Sequence, residues 1–276
     1  MTVYEIITQR IVEQLKKGKI PWHKPWTGIA PKNLISQKDY RGINTFLLST
    51  SQYTNPFWIT FKQCKDLGGG IKKGEKGMPV IYWNWLDIKG NEEEIEKHIP
   101  FLKYYTVFNA EQCEGIETPE IKTFAWDPII KCEAVVEDII NKPEIEYEGN
   151  RACYIPSQDK IKMPERKYFV EAEKYYSTLF HELGHSTGHW SRLNRDTIVD
   201  LCPFGSTNYS KEELVAEMTA SFLCGHIGIE NNTLDNSTAY IQGWVRQFRD
   251  KPKMVIMAAA QAQKATDYLL NVTYQN

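Results

Sequence analysis

Apolar side chains at Ile6, Ile7, Ile11 and Leu15, with Gly18 just beyond them, repeat at the spacing of one helix face and predict an amphipathic helix over residues 3–17. The following Ile20-Pro21-Trp22-His23-Lys24-Pro25-Trp26 cannot continue it, because two prolines impose an extended path. Residues 44–50 and 57–67 read as short helices separated by Asn55-Pro56. Gly68-Gly69-Gly70 then interrupts, and a basic glycine turn, Lys72-Lys73-Gly74-Glu75-Lys76-Gly77, leads into a strand-like run at 80–83. A second strand is predicted at 104–108, after an acidic tip at 91–96 that reads as an exposed loop. This part of the chain is therefore expected to be α+β.

A polar, proline-bearing stretch at 115–127 reads as a linker. Helical patterning resumes at 129–140. Two strands at 152–155 and 160–163 flank the turn Pro156-Ser157-Gln158-Asp159, and three helices follow at about 168–189, 210–227 and 237–270, the last broken near Pro252. Two domains are thus predicted, 1–125 and 126–276. No apolar stretch approaches the ~20 residues of a membrane span, and the charged N-terminal segment lacks the pattern of an export signal. Six scattered cysteines without a C-x-x-C pair argue against a disulfide scaffold and predict a reducing, cytoplasmic setting.

The net charge of −2 conceals a division along the chain. Residues 1–90 hold 14 Lys and Arg against 6 Asp and Glu, whereas 91–276 hold 19 against 29. A basic half facing a polyanion is the expectation. In that half, aromatic and basic residues interleave: Trp22, Lys24, Trp26, Tyr40, Arg41, Trp58, Phe61, Lys62, then Lys72, Lys73 and Lys76. Aromatic faces stack on unpaired bases while lysines follow phosphates, a combination suited to single-stranded DNA without sequence preference.

The acidic half carries His181-Glu182-Leu183-Gly184-His185 within a predicted helix. Histidines four apart lie one turn apart on one face and can share a Zn²⁺, with Glu182 placed to take a proton from water. The continuation His185-Ser186-Thr187-Gly188 opens like a metzincin site, but the third histidine position is Ser191. That departure leaves a carboxylate from the next helix as third ligand, as in gluzincin-type sites. Glu213 and Glu217 are the candidates. Ser210-x-x-Glu213 reads as a capping box, which gives Glu213 a local role, so Glu217 is the preferred ligand and Glu213 the alternative or a partner of a ligand histidine.

Tyr40-Arg41-Gly42-Ile43-Asn44, Trp58-Ile59-Thr60-Phe61-Lys62-Gln63, Gly70-Ile71-Lys72-Lys73-Gly74-Glu75-Lys76-Gly77 and Tyr105-Thr106-Val107-Phe108-Asn109-Ala110-Glu111-Gln112 resemble the N-terminal domain of ArdC-type antirestriction proteins. That domain also occurs in TraC-like primases of conjugative plasmids. The segments around His181 to Arg195 and Lys211 to Ile229 resemble the zincin-like, SprT-like metallopeptidase domain that follows it in the same family. The resemblance implies an antirestriction protein of a mobile element, a single-stranded-DNA-binding domain joined to a zinc protease. DNA-bound proteins such as restriction enzymes would be its protein partners. Two other readings stay open: a DNA-coating protein with a structural zinc site, and an accessory domain of a plasmid primase or relaxase.

Overall fold

The computed structural model describes residues 1–276 except 23–29, 52, 54, 90–94, 121–127, 150, 200–206, 230–237 and 274–276. Helix α1 (Val3–Lys16) starts at a capping box in which Thr2 accepts from the Glu5 amide and the Glu5 carboxylate accepts from the Thr2 amide. Strand β1 (Lys32–Asn33) and helix α2 (Ile43–Ser49) precede β2 (Phe57–Thr60) and α3 (Phe61–Asp66). The expected helix at 57–67 is therefore divided. Phe57, Trp58 and Ile59 extend as a buried strand, and the Thr60–Gln63 capping box starts the helix only at Phe61.

β3 (Gly70–Ile71), β4 (Met78–Lys89), β5 (Ile95–Asn109) and β6 (Cys113–Glu114) complete the N-terminal part. The long β4–β5 hairpin joins β2 and β1 in a four-stranded sheet of order β1-β2-β5-β4, and β3 pairs with β6. Pairing runs outward from Met78↔Val107 to Lys89↔Ile95, so both strands exceed the lengths read from the sequence. Most of the predicted acidic tip lies outside the described residues.

After α4 (Pro128–Glu137), strands β7 (Glu144–Tyr147), β8 (Cys153–Ile155) and β9 (Lys160–Met163) form a sheet of order β7-β9-β8. β8 and β9 are the expected hairpin, whereas β7, parallel to β9, had no strong signal in its acidic sequence. Helices α5 (Ala172–Ser186), α6 (Asp196–Val199), α7 (Thr207–Ile227), α8 (Thr238–Asp250) and α9 (Lys253–Leu269) follow, with the α8–α9 break at Pro252. The five described cysteines carry no disulfide, and no described helix is long and apolar enough to cross a membrane.

α7 is buried on every side from Leu214 to Gly225, as expected of a helix at the centre of a core, and packs between α5 and α9. Its contact with α5 is close because Gly184 has no Cβ. One there would stand 3.1 Å from Ala216 Cα and 3.2 Å from Thr219 Cβ. The other side of α7 joins a core shared with the N-terminal part: Ile7, Ile11 and Leu15 of α1 and Phe46 of α2 pack with Leu214, Met218 and Phe222 of α7 and with Phe248 and Val255.

Trp22 is the keystone of that core. Fully buried, it meets Phe46, Trp244 and Phe248 edge-on at 6.0–6.4 Å. Its indole Nε1 donates to Glu217 at 3.2 Å, and its carbonyl accepts from Ser221. Arg41 pairs with Asp267 of α9 and the Gly42 amide donates to Gln263, so this core draws on residues from both sides of the expected boundary near residue 125. Trp22→Ala is expected to cost about 3–5 kcal/mol through the cavity it leaves, and Trp22→Phe less. Urea unfolding followed by tryptophan fluorescence and by circular dichroism should give one coincident transition, shifted to lower urea in both variants.

Candidate metal centre

The close approach of α5 and α7 places one turn of each helix side by side. His181 and His185 face each other with their Nε2 atoms 3.1 Å apart. The Glu213 carboxylate closes the triangle, at 3.5 Å from His181 Nε2 and 3.4 Å from His185 Nε2. Donor atoms about 2.0–2.1 Å from a tetrahedral zinc are roughly 3.3–3.4 Å apart, so the three side chains stand at the spacing of ligands around one ion. Among the described residues they form the one cluster of His, Cys, Asp and Glu whose donor atoms converge in this way.

This geometry sets Glu213, the alternative in the sequence, beside the histidines, and not Glu217. α7 begins at Thr207, a turn earlier than expected, so Ser210 lies inside the helix and is not its N-cap. Glu213 is thereby available to the histidines. Glu217 is buried in the interior, where its carboxylate accepts from the Trp22 indole.

Glu212 has a role that the sequence did not indicate. It is buried and accepts from Arg195 through Nε at 3.1 Å and Nη2 at 2.5 Å, while Thr197 donates a further hydrogen bond. Its Oε1 lies 3.5 Å from His185 Nδ1, on the side of the ring away from Glu213. A carboxylate behind a ligand imidazole fixes the ring's orientation and tautomer and raises its basicity. Arg195 is held in turn by the Gly184 carbonyl at 2.8 Å and Thr187 Oγ1 at 2.6 Å, so the pair is tied to the end of α5.

The electrostatics follow from this crowding. Burial opposes charge on His185, yet hydrogen bonds to Glu212 and Glu213 and the fields of Glu213 and Glu182 outweigh it and raise the imidazole to about 10. Burial likewise opposes ionisation of Glu212, but His185 and Arg195 hold it down at about 2, and the two histidines keep Glu213 well below the ordinary carboxylate range. Glu182 is buried beside them. The pocket thus gathers carboxylates around the two imidazoles, where a cation fits.

A second polar cluster sets the edge of the site. Arg192 donates to the Ser186 carbonyl at the end of α5, to Asn141 O, to Asp159 and to the Tyr154 hydroxyl. Asp159 sits in the left-handed turn between β8 and β9 and accepts from Tyr154 at 2.8 Å. The hairpin is therefore clamped to the metal helix. Tyr154 is committed to that clamp, His189 bonds Ser191 at 2.8 Å and faces Asp159, and His226 lies on the surface.

The DNA-facing residues expected from the sequence divide sharply. Trp22, Tyr40 and Trp58 are 0%, 8% and 2% exposed and are core residues, a correction to the stacking role expected of them. An indole that can bury its whole surface under a sheet or between helices gains more from doing so than from standing in water. Arg41 is engaged with Asp267. Lys62, Lys73 and Lys76 are exposed, as is Lys72, whose ammonium donates to Glu111 O. Lys24 and Trp26 lie outside the described residues. Phe61 is exposed, and further exposed aromatics that the sequence reading passed over stand on the β4–β5 hairpin: Tyr82, Trp83, Tyr104 and Tyr105. Tyr82 is paired with Lys103 and lies 5.5 Å from Tyr105 on the same face, where Lys103 also covers Phe101.

Two substitutions separate support of the site from ligation. Arg195→Ala, which leaves Glu212 buried without its cation, is expected to destabilise the fold by about 3–5 kcal/mol. Glu212→Gln should leave a folded protein that binds zinc roughly 10–100-fold more weakly, read by competition with a chromophoric chelator.

Two family descriptions match the chain in the order of its two halves. Residues 1–108 match the N-terminal domain of anti-restriction factor ArdC, and 132–261 match a zincin-like metallopeptidase. Two Escherichia coli proteins named DNA primase TraC are 36% and 35% identical over 97% of this chain, which spans only 20% and 27% of their lengths. The uncharacterized protein y4eC of Sinorhizobium fredii is 30% identical, and the chain covers 91% of it. Among solved structures, the metal-free antirestriction protein ArdC of plasmid R388 superposes with a TM-score of 0.78 at 35% identity, over 99% of this chain and all of that one. Its Mn(II)-bound form gives 0.77 over 98% of each. Identity at that level along the whole of a plasmid protein that shares both domains and their order has one reading: the chain belongs to the ArdC family of antirestriction proteins.

Proposed function

We propose that this protein is an antirestriction factor of a mobile element that binds single-stranded DNA through its N-terminal part and carries a zinc-dependent peptidase centre at His181, His185 and Glu213. The observation that carries the peptidase reading is the convergence of those three donor sets at ligand spacing with Glu182 beside them. Two imidazoles and a carboxylate, with no thiolate, suit zinc and also accept a harder ion such as manganese. A metal there supplies Lewis acidity toward a carbonyl and toward water. Glu182 is the general base in this reading, taking a proton from the attacking water and returning it to the leaving amine. Glu212 and Arg195 hold His185 in its ligating orientation, and the clamped β8–β9 hairpin offers β8 as the free edge of its sheet for an extended peptide.

DNA binding rests on the β4–β5 hairpin in this reading. Tyr82 and Tyr105 provide adjacent aromatic faces with Lys103 beside them, and Lys62, Lys73 and Lys76 add exposed positive charge in the same half. Protein substrates on that DNA, restriction enzymes among them, would then be brought close to the metal centre.

Elemental analysis of the purified protein should give one zinc per chain, lost in Glu213→Ala and kept in Glu217→Gln. Zinc lost only with Glu217 would sink the assignment of the third ligand. Glu182→Gln should keep zinc while casein cleavage by the zinc-loaded protein falls at least a hundredfold, and unchanged cleavage would remove Glu182 from the chemistry. For the DNA interface, Tyr82→Ala with Tyr105→Ala should weaken oligothymidylate binding at least tenfold in fluorescence anisotropy, with affinity falling steeply as salt rises. Binding that is salt-independent, or that prefers duplex, would exclude this surface.

A further inference from the structure

The β4–β5 hairpin is a two-stranded ribbon, and successive side chains leave it on opposite faces. Tyr82 and Tyr105 lie on a diagonal of the pairs Val80↔Tyr105 and Tyr82↔Lys103, on the face already read as the DNA surface. Trp83 and Tyr104 lie on the same diagonal of the intervening pairs, Ile81↔Tyr104 and Trp83↔Leu102, and therefore on the other face. That face is covered at its root, where Ile81 is buried in the core beneath α1 and Leu102 packs against it. Trp83 and Tyr104 nevertheless stay 44% and 48% exposed, so each forgoes much of what burial gives Trp22 and Trp58.

Each face carries the same chemistry. On the first, the Lys103 ammonium lies 4.9 Å over the Phe101 ring, one pair away from Tyr105. On the second, Tyr4 of α1 meets Trp83 edge-on at 6.4 Å and holds the Lys253 ammonium 5.2 Å over its own ring. Both lysines are exposed, and among the described residues neither has a carboxylate within ion-pair distance. An ammonium without a counter-charge selects a polyanion, and open aromatic rings beside it select one with unpaired bases.

A base stacked on one face of a sheet cannot touch the other. Nor is there a short way round β4 at this level: the Asn44 side chain of α2 closes that edge, donating to the Ile81 carbonyl at 2.7 Å and accepting from its amide at 2.8 Å. We propose that the hairpin takes two nucleic-acid strands at once, one on each face, and that the protein thereby recognises the fork at which a duplex parts into single strands. The second strand stacks on Trp83 and Tyr104 with its phosphates toward Lys253. This second surface rests on the reading of Tyr82 and Tyr105 as DNA-facing, and adds to it a preference for the junction.

The test is fluorescence anisotropy on the full chain in EDTA, with oligothymidylates of eight and of twenty-four nucleotides and with a short duplex that ends in one or in two unpaired eight-nucleotide thymidylate tails. The parent protein is expected to bind the two-tailed duplex at least tenfold more tightly than the one-tailed duplex. Trp83→Ala/Tyr104→Ala should abolish that preference and keep the affinity for the eight-nucleotide strand. Lys253→Gln, an exposed change that leaves both rings in place, should reduce the preference about threefold. Equal binding of the two duplexes by the parent would overturn the fork assignment, as would a preference that survives in Trp83→Ala/Tyr104→Ala. A loss on the twenty-four-nucleotide strand as large as that on the fork would overturn it too, because one strand would then pass round both faces. Full affinity of Tyr82→Ala/Tyr105→Ala for the eight-nucleotide strand is a separate failure, which removes the first DNA face and the fork with it.

Discussion

The contact between α5 and α7 is the constraint on which the site depends. At Gly184 the two helices approach until Ala216 and Thr219 occupy the space where a side chain would begin. At that separation a histidine pair on one helix and a glutamate on the other come within 3.5 Å, without any loop having to position them. Rigid helices hold donor geometry better than loops do, and here the helices are locked by the buried Arg195–Glu212 pair on one side and the Arg192–Asp159 clamp on the other. Arg195 is linked to both helices at once, through the Gly184 carbonyl of α5 and the Glu212 carboxylate of α7.

The same central helix joins the candidate metal centre to the N-terminal part. Glu213 faces the histidines and Glu217, one turn on, accepts from Trp22, so neighbouring turns of α7 serve two regions that are far apart in sequence. The chain's two family matches describe modules, and the packing makes them share a core. Such a core ties the stability of one module to that of the other.

Electrostatics divide the surface differently from the sequence. The basic N-terminal half has some of its aromatic residues in the core and others exposed on the hairpin. Net charge per segment indicated a polyanion partner. It could not say which residues remain at the surface after folding.

The sequence alone determined the helices with regular apolar spacing, the β8–β9 hairpin, the histidine pair and Glu182, because each is fixed by residues within one turn or one short loop. Which of Glu213 and Glu217 stands beside the histidines was visible only in the fold. α7 starts at Thr207, ahead of the predicted cap at Ser210, and Trp22, 195 residues away in sequence, donates to the Glu217 carboxylate that the sequence had preferred. Glu212 and Arg195 were equally silent in the sequence, since a buried ion pair leaves no periodic mark. The tryptophans show the same limit: interleaving with lysines is visible in the chain, whereas burial is a property of all the elements that close over a side chain together, and it was that closure that sent Trp22 and Trp58 inward and left Tyr82 and Tyr105 outside.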